Sequence, residues 1–227
     1  MGIVEAVVET AVDTAHSHLD TILRERISQG KIPPGTKLNE ACLAKEFKVP
    51  RSRVRQALSS LAIRGLVEHK PNRGAVVATF GAQEMFKLYD VFELLEGLAA
   101  RLASQNTQPG SWQDLVDLFG PELEREVAGG NYEALFSAVY TYRHRVVEAA
   151  DNATLQDSLE RIYDKTYVLI RRTLILPGRA MQSLKEHRDV IAALQKGDAL
   201  EAERLKRENM RIARETLEKY HKFVFDY

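Results

Sequence analysis

The chain has 227 residues, enough for one large domain or two modest domains, each with its own hydrophobic core. Its 32 basic and 32 acidic side chains cancel, but residues 1–78 carry 12 basic against 8 acidic side chains and the remainder carries 20 against 24. A basic first part favours contact with a polyanion there. The single cysteine excludes an internal disulfide, and no apolar run reaches the roughly 20 residues of a membrane span, so we expect a cytoplasmic protein.

Residues 1–14 are predicted to be a leader, and two helices follow it. The leader is apolar but interrupted by acidic residues and lacks a basic start, which excludes a signal peptide. The first helix is predicted to end at Gly30, and a shorter second helix begins near Asn39, a favoured N-cap. The two apolar stripes consist of Leu19, Ile22, Leu23 and Ile27, and of Leu38, Leu43, Ala44 and Phe47.

A third helix begins with three arginines, Arg51, Arg53 and Arg55, which lie off its apolar face. Cations at a helix N-terminus oppose the helix macrodipole, and a polyanion lying across that end would offset the cost. A solvated basic face is the alternative interpretation. The apolar face consists of Val54, Leu58 and Leu61, at i, i+4 and i+7.

Two short β-rich runs, 66–69 and 75–77, flank a polar tip at 70–74 that contains a glycine, which predicts a hairpin. Three helices followed by a hairpin with a basic tip form the plan of a winged helix-turn-helix. In that fold the third helix enters a major groove of DNA, and the wing meets the backbone or the minor groove.

These sixty residues also resemble the N-terminal domain of GntR-family transcription regulators. The matching positions are Ile27-x-x-Gly30, Pro34-Gly35-x-x-Leu38-x-Glu40-x-x-Leu43-Ala44, Val49-x-Arg51-x-x-Val54-Arg55-x-Ala57-Leu58-x-x-Leu61, Gly65-Leu66-Val67 and Asn72-Arg73-Gly74.

The resemblance implies that Arg51 and Arg55 contact DNA and that Gly74 lets the wing backbone approach it. The chain departs from the family at Pro50, where a Ser or Thr cap is usual, and at Ala41, where some members place another DNA-contacting arginine. Arg53 replaces a usually small or prolyl residue and is expected to add a phosphate contact. The predicted DNA-contacting residues are Arg51, Ser52, Arg53, Arg55, Asn72, Arg73 and Gly74.

Residues 79–82 are predicted to be a linker, and residues 83–227 a bundle of six or so helices that can enclose a cavity. Pro121 is expected to kink or break one helix. The whole chain is therefore predicted to be mainly α: an N-terminal winged helix-turn-helix at 1–78 and a C-terminal all-helical bundle. The other helix breaks are Gly129-Gly130-Asn131, Asp151-Asn152, Pro177-Gly178 and Gly197-Asp198.

The helical part resembles the effector-binding FCD domain of the FadR-type branch of the same family. The matches are Leu95-Glu96-x-x-Ala99-Ala100, Glu148-Ala149-Ala150-x-Asn152, Glu186-His187 and Gly197-Asp198-x-x-x-Ala202. Many FCD domains hold a divalent metal through one aspartate and three histidines. The resemblance places those positions at Val139, Arg143, His187 and Asn209, of which only one is a metal ligand. A single imidazole cannot hold the ion, so we predict no metal and no other cofactor.

Arg143 can instead bind the effector directly, because a guanidinium pairs with a carboxylate through two charge-assisted hydrogen bonds. The alternative is a structural ion pair between Arg143 and an internal glutamate such as Glu96. A second basic and aromatic group, around Tyr163, is interpreted first as packing and second as pocket wall. The predicted effector-binding residues are Arg143, His187, Asn209, Val139, Phe92 and Tyr140, with His187 and Asn209 expected to supply further donors.

Together these features predict a ligand-responsive transcription regulator that acts as a repressor. It would bind a palindromic operator in double-stranded DNA as a homodimer, and a small anionic organic molecule as effector. The alternative is an effector-independent DNA-binding protein whose helical domain only dimerises. No nucleophile elbow, phosphate loop or paired metal-ligand motif is present in the sequence, so we expect no enzymatic activity.

Overall fold

The computed structural model describes residues 19–225, with the side chain of Val168 left out. The chain divides into two compact units, of which the first ends at Thr79 and the second begins at Phe80. The predicted leader, residues 1–14, lies outside the described residues.

The described part of the first unit contains three helices and a two-stranded antiparallel sheet. Helix α1 is helical over 19–28. The other elements are α2, Glu40–Phe47; α3, Arg51–Ile63; β1, Val67–Lys70; and β2, Gly74–Val77. In the sheet, Val67 pairs with Val77 and Lys70 with Gly74. The predicted winged helix-turn-helix is therefore confirmed, with β1 and β2 as its wing.

The local signals in the sequence account for these boundaries. The Asn39 side chain accepts hydrogen bonds from the backbone N–H groups of Ala41 and Cys42, which caps α2. The predicted apolar faces pack into one core under the wing. Its fully buried members include Leu23, Val54, Leu58, Leu61 and Leu66.

The described part of the second unit contains eight helices and no strand, which confirms the predicted helical bundle. The helices are α4, Ala82–Asn106; α5, Gln113–Leu118; α6, Pro121–Ala128; α7, Tyr132–Ala149; α8, Ala153–Leu174; α9, Arg179–Lys196; α10, Ala199–Lys219; and α11, His221–Phe225. Ala82, assigned to the linker from the sequence, is the first residue of α4.

Side-chain caps and one proline set the helix ends of this unit. Pro121 occupies the first turn of α6, where its missing N–H costs nothing, so it begins a helix and separates α6 from α5. Asn131, Asn152 and Asp198 each accept a hydrogen bond from a backbone N–H in the first turn of the following helix. The helix breaks predicted at Asp151-Asn152 and Gly197-Asp198 are confirmed.

The longest helix, α4, supplies the inner wall of the bundle against α7, α8 and α10. Its buried face carries aromatic residues in its first half and small residues in its second half, with Glu96 between them. At Gly97 the packing against α10 is close: a Cβ there would lie 2.5 Å from the Cγ of Arg207. The interior of the bundle therefore surrounds a carboxylate on α4, and that carboxylate needs partners.

Candidate nucleic-acid interface and buried polar cluster

The N-terminus of α3 is exposed, basic and without a side-chain cap. Arg51, Ser52 and Arg55 face solvent, whereas Val54 between them is fully buried. The N-cap residue, Pro50, has no hydrogen-bonding side chain, and the first turn of α3, all within the described residues, contains no acidic residue. A helix N-terminus and three cations thus lie at one place, which suits a phosphate backbone.

Arg55 makes a bidentate ion pair within this surface. Its Nε donates to Glu40 Oε1 at 3.2 Å and its Nη2 donates to Glu40 Oε2 at 2.9 Å. The hydrogen bond from Arg55 holds the pKa of Glu40 below its usual range. Even so, 66% of the Arg55 side chain remains exposed. One edge of the guanidinium is therefore bound to α2, and the rest faces outward.

The wing tip presents Asn72, Arg73 and Gly74 to solvent, as expected for a wing that meets DNA. Asn72 and Gly74 have positive φ angles of 61° and 75°. No described atom lies within 4 Å of a Cβ placed on Gly74. Within the protein, the glycine is therefore favoured by the left-handed backbone angle and not by close packing. Of the predicted DNA-contacting residues, six are exposed and Arg53 is half-buried.

The bundle places five of the six predicted effector residues in its interior. Arg143 and Val139 lie on α7, Phe92 on α4, His187 on α9 and Asn209 on α10, and all are buried. The sixth, Tyr140, is 44% exposed and its ring lies 4.4 Å from that of His144. Consecutive helical residues are about 100° apart around the axis, so the turn from Val139 to Tyr140 leads away from the interior.

Arg143 has Glu96 as its buried partner. This is the ion pair that the sequence analysis gave as the alternative to effector binding. Arg143 Nε lies 3.5 Å from Glu96 Oε1, with 6% and 3% of the two side chains exposed. This contact has opposite charges but lacks hydrogen-bond geometry, and neither atom has another hydrogen-bond partner among the described residues. The guanidinium also lies over the Tyr163 ring, 4.5 Å from its centroid, and 5.4 Å from that of Phe92. Tyr163 is thus part of this site.

Lys206 is a second cation on the same carboxylate, and sequence reasoning missed it. Its Nζ lies 3.1 Å from Glu96 Oε2 and donates to Asn209 Oδ1 at 3.1 Å, with 1% of the side chain exposed. Lys206 stands in a run of charged residues with Arg207 and Glu208, and such a run suggests an exposed helix face. Its spacing of four residues from both Ala202 and Met210, which are buried, is the signal that could have revealed it.

The polar network continues from Asn209 to α9. Asn209 Nδ2 donates to Glu186 Oε2 at 2.6 Å, and Arg179 Nη1 donates to the same oxygen at 3.0 Å. Among the described residues of this network there are three cations, Arg143, Arg179 and Lys206, and two carboxylates, Glu96 and Glu186. Burial raises the pKa of Glu96, but its attraction to Lys206 and Arg143 outweighs burial, and the net result is a lowered pKa. Burial lowers the pKa of Lys206, and its attraction to Glu96 opposes that shift. With every group ionised, the network has one more positive than negative charge.

His187 is neutral and presents an acceptor, not the donor expected from the sequence. Its Nδ1 lies 2.8 Å from the carbonyl oxygen of Ser183, which can only accept, so Nδ1 carries the proton. Burial, followed by the charge of Lys206, holds the pKa of His187 well below its usual range. Its ring stacks on Phe119 at 5.5 Å. The buried Nε2 is consequently a lone-pair acceptor with no partner among the described residues.

Five buried polar atoms around this network lack hydrogen-bond partners in the described part of the chain. Each such atom costs about 1–3 kcal/mol if nothing meets it. Native interiors rarely leave several such atoms together. The atoms are Glu96 Oε1, Arg143 Nε, His187 Nε2 and the hydroxyl oxygens of Tyr142 and Tyr163.

A groove of about 230 Å³ between α9 and α10 adjoins this network. Glu186 and Asn209 belong to both, because they line the groove and also join Lys206 to Arg179. Its other lining residues are Gln182, Lys185, Asp189, Leu205, Glu208 and Ile212. The groove thus borders the polar network at Glu186 and Asn209.

The described residues contain no group of three or more His, Cys, Asp or Glu side chains placed to hold a metal ion. None of their helices is long and apolar enough to cross a membrane.

The exposed basic helix end, the wing and the helical bundle define the class of protein as a two-part DNA-binding transcription regulator. Residues 16–77 match the family model of bacterial regulatory proteins of the gntR family, and residues 87–211 match that of the FCD domain. The chain belongs to the GntR family and carries an FCD domain. Members of this family are transcriptional regulators and not enzymes.

Similar proteins agree with this assignment. The "Probable D-xylose utilization operon transcriptional repressor" of Paenarthrobacter nicotinovorans is 30% identical over 193 residues, which cover 83% of this chain and 82% of that protein. The "HTH-type transcriptional repressor RspR" of Escherichia coli is 27% identical over 79% of each chain. The solved structure of E. coli McbR/YncC shares the fold, with a TM-score of 0.78 and 19% identity over 91% of this chain and 98% of that one.

Replacing Arg51 or Arg55 by alanine should weaken specific DNA binding and leave the fold intact. Each good bidentate base contact contributes about 1–3 kcal/mol of discrimination, so the loss should be roughly 5- to 150-fold. The measurement is a fluorescence-anisotropy titration with a duplex that the wild-type protein selects from random sequences, and with an unrelated duplex. Arg125→Ala removes the same charge from the second unit and should change neither titration. Unchanged DNA binding by both α3 variants would show that these two arginines do not contact DNA.

The second unit should lose stability between pH 7 and pH 5 because His187 stays neutral when folded. An unfolded histidine takes up a proton below about pH 6.5, whereas the folded pKa lies well below that value. Unfolding therefore binds a proton in this range, and stability should fall by up to about 1.4 kcal/mol per pH unit. The fluorescence of Trp112, the chain's only tryptophan and fully buried in this unit, reports the unfolding. His187→Gln should flatten this slope, whereas His221→Gln, at an exposed site, should keep it.

Proposed function

We propose that the protein is a ligand-responsive repressor whose bundle binds a small organic anion without a metal. The observation that carries the proposal is the network around Glu96, which with every group ionised has one surplus positive charge, and which contains five buried polar atoms without a hydrogen-bond partner among the described residues. Buried charges are ordinarily paired, so a missing negative charge points to an anionic ligand.

On the DNA side, two copies of α3 would occupy successive major grooves of a palindromic operator, about 34–36 Å apart. Family membership supports the dimer, since GntR regulators typically bind operators as dimers. The α3 contacts would come from Arg51, Ser52, Arg53 and Arg55, and the wing contacts from Asn72, Arg73 and Gly74. A DNA-binding role supports a cytoplasmic location.

On the effector side, Arg143 would pair with the ligand's negative group. Its Nε is already a buried donor without a hydrogen-bond partner among the described residues, and Glu96 beside it is shared with Lys206. An incoming carboxylate would supply the charge that Glu96 alone cannot supply to two cations. One surplus charge favours a ligand with a single negative group at this end.

The remaining unpartnered atoms describe the rest of the ligand. His187 Nε2 is an acceptor, so it would bind a hydroxyl or N–H donor on the same molecule. The rings of Phe92 and Tyr163, both beside Arg143, would form an apolar wall. A monocarboxylate with a nearby hydroxyl and a small apolar body fits these three requirements. The groove beside Glu186 and Asn209 would be its route inward.

Two relatives whose names identify them as repressors support repression in this chain. Effector binding would change operator affinity only if the ligand binds the DNA-bound and DNA-free states with different affinity.

One observation favours the second function, an effector-independent DNA-binding protein. Glu96 already pairs with both Arg143 and Lys206, and a closed network of this kind can be purely structural. Under that function no organic acid would alter either the stability of the bundle or the affinity for the operator.

Thermal unfolding in the presence of organic acids tests the first function. A panel of monocarboxylates, each with and without a hydroxyl group, should contain members that raise the unfolding midpoint reported by Trp112 fluorescence. A ligand at one hundred times its Kd adds about 2.7 kcal/mol, which is several degrees in a unit of this size. The amide of an active acid should have no effect, because it lacks the charge.

Arg143→Ala should abolish this stabilisation and the effector's change in operator affinity, while operator affinity itself remains. Arg171→Ala is the matched control, since Arg171 also lies over a ring, that of Phe136, and pairs with Glu133 outside the network. If the acid stabilises Arg143→Ala and wild type equally, Arg143 is not its anchor. If no acid changes either stability or operator affinity, the effector-independent function gains support.

Metal removal should leave the response unchanged. Elemental analysis of the purified protein is expected to show far less than one equivalent of metal, and a chelator should alter neither the acid-induced stabilisation nor operator binding. A full equivalent of zinc or nickel, lost together with the response on chelation, would contradict a metal-free pocket.

A further inference from the structure

The geometry of the Arg55–Glu40 pair leaves one particular edge of the guanidinium available. Glu40 accepts from Nε and Nη2, which together form the side edge of the group. A guanidinium has five N–H donors, so one on Nη2 and two on Nη1 remain. The remaining Nη1–H and Nη2–H point in parallel from the end edge, and two thirds of the Arg55 side chain is exposed.

The parallel donors of an arginine end edge match the two acceptors O6 and N7 that guanine presents in the major groove. We propose that Glu40 is a positioning residue for operator recognition, which holds the side edge of Arg55 so that its end edge reads a guanine. The inference rests on the proposed contact between Arg55 and DNA.

Both ends of the pair are anchored to well-defined helices. Glu40 is the first residue of α2 and directly follows the N-cap Asn39, while Arg55 lies in the second turn of α3. The side chain of Leu43 from α2 and that of Val54 from α3 are buried in the same core. The carboxylate therefore fixes the long arginine side chain before DNA arrives, and the entropy of ordering it is not lost on binding.

The charge of Glu40 makes the positioning role distinguishable from a merely electrostatic one. A carboxylate close to DNA repels phosphates, so its neutralisation by itself would tighten binding to every sequence. Loss of positioning would instead weaken binding to the operator, and the affinity for unrelated DNA would stay unchanged or rise slightly. The two effects have opposite signs on the operator.

The test uses the full-length protein and a duplex that the wild type selects from random sequences. Each guanine of the half-site is replaced in turn by 7-deazaguanine, which removes the N7 acceptor and keeps base pairing. The wild type should lose about tenfold in affinity at one guanine position in each half-site. Glu40→Gln should bind the unmodified duplex about tenfold more weakly and lose less than about threefold at that position.

Glu46→Gln is the matched control. Glu46 lies on the same helix and pairs with Arg26, so its neutralisation removes the same charge from α2 without touching Arg55. It should retain the wild-type sensitivity to 7-deazaguanine. Circular dichroism melting of both variants shows that the first unit remains folded under the conditions of the titration.

Arg55→Ala and the double variant Glu40→Gln/Arg55→Ala separate the two levels of the proposal. If Arg55→Ala keeps the full sensitivity to 7-deazaguanine at every position, Arg55 does not contact a guanine. Arg55 must then be removed from the DNA contacts in the proposed function. If Arg55→Ala loses sensitivity but Glu40→Gln keeps it, or tightens binding to operator and unrelated duplex alike, the positioning role of Glu40 is overturned. If 7-deazaguanine weakens binding of the wild type at no position, the proposed contact with a guanine is wrong. Support requires that Glu40→Gln have no further effect on the operator once Arg55 is absent.

Discussion

The helical bundle depends on one buried carboxylate, that of Glu96. A lone charge in a protein interior costs far more than any apolar contact returns, so it persists only with partners. Arg143 and Lys206 approach it from α7 and α10, and these two helices pack against α4 around it. The carboxylate in turn makes the two cations tolerable. Removal of Glu96 would leave both without their shared counter-charge, and the interior of the bundle would no longer hold them.

The same electrostatic principle operates at two levels of solvation. In the bundle, burial strengthens each charge interaction between Glu96, Arg143 and Lys206. On the winged unit, Arg55 is largely exposed and Glu40 is half-buried, and water screens their attraction. The pair there contributes little energy and more geometry: it limits the orientations of a long side chain. An ion pair thus stabilises charge in one unit and orients a donor in the other.

Some residues of the buried polar cluster could be predicted from the sequence, and others could not. The placement of Arg143, His187, Phe92, Val139 and Asn209 in the interior agrees with their helical spacing and with the family resemblance. Tyr140 is exposed, because one residue along a helix changes the facing side by about 100°. Lys206 escaped notice because lysine is almost never fully buried unless paired, and its partner lies more than one hundred residues away in the chain.

The sequence by itself determined the elements, their caps and breaks, the basic helix end, the wing and the two-part order of the chain. Those features depend on local interactions: side chains three or four residues apart, a cap that bonds its own helix, or a backbone angle that glycine favours. Only the tertiary structure decided which carboxylate meets Arg143, that Lys206 shares it, and which nitrogen of His187 carries its proton. These are contacts between helices distant in the chain, and their charge states follow from burial, which no local pattern specifies.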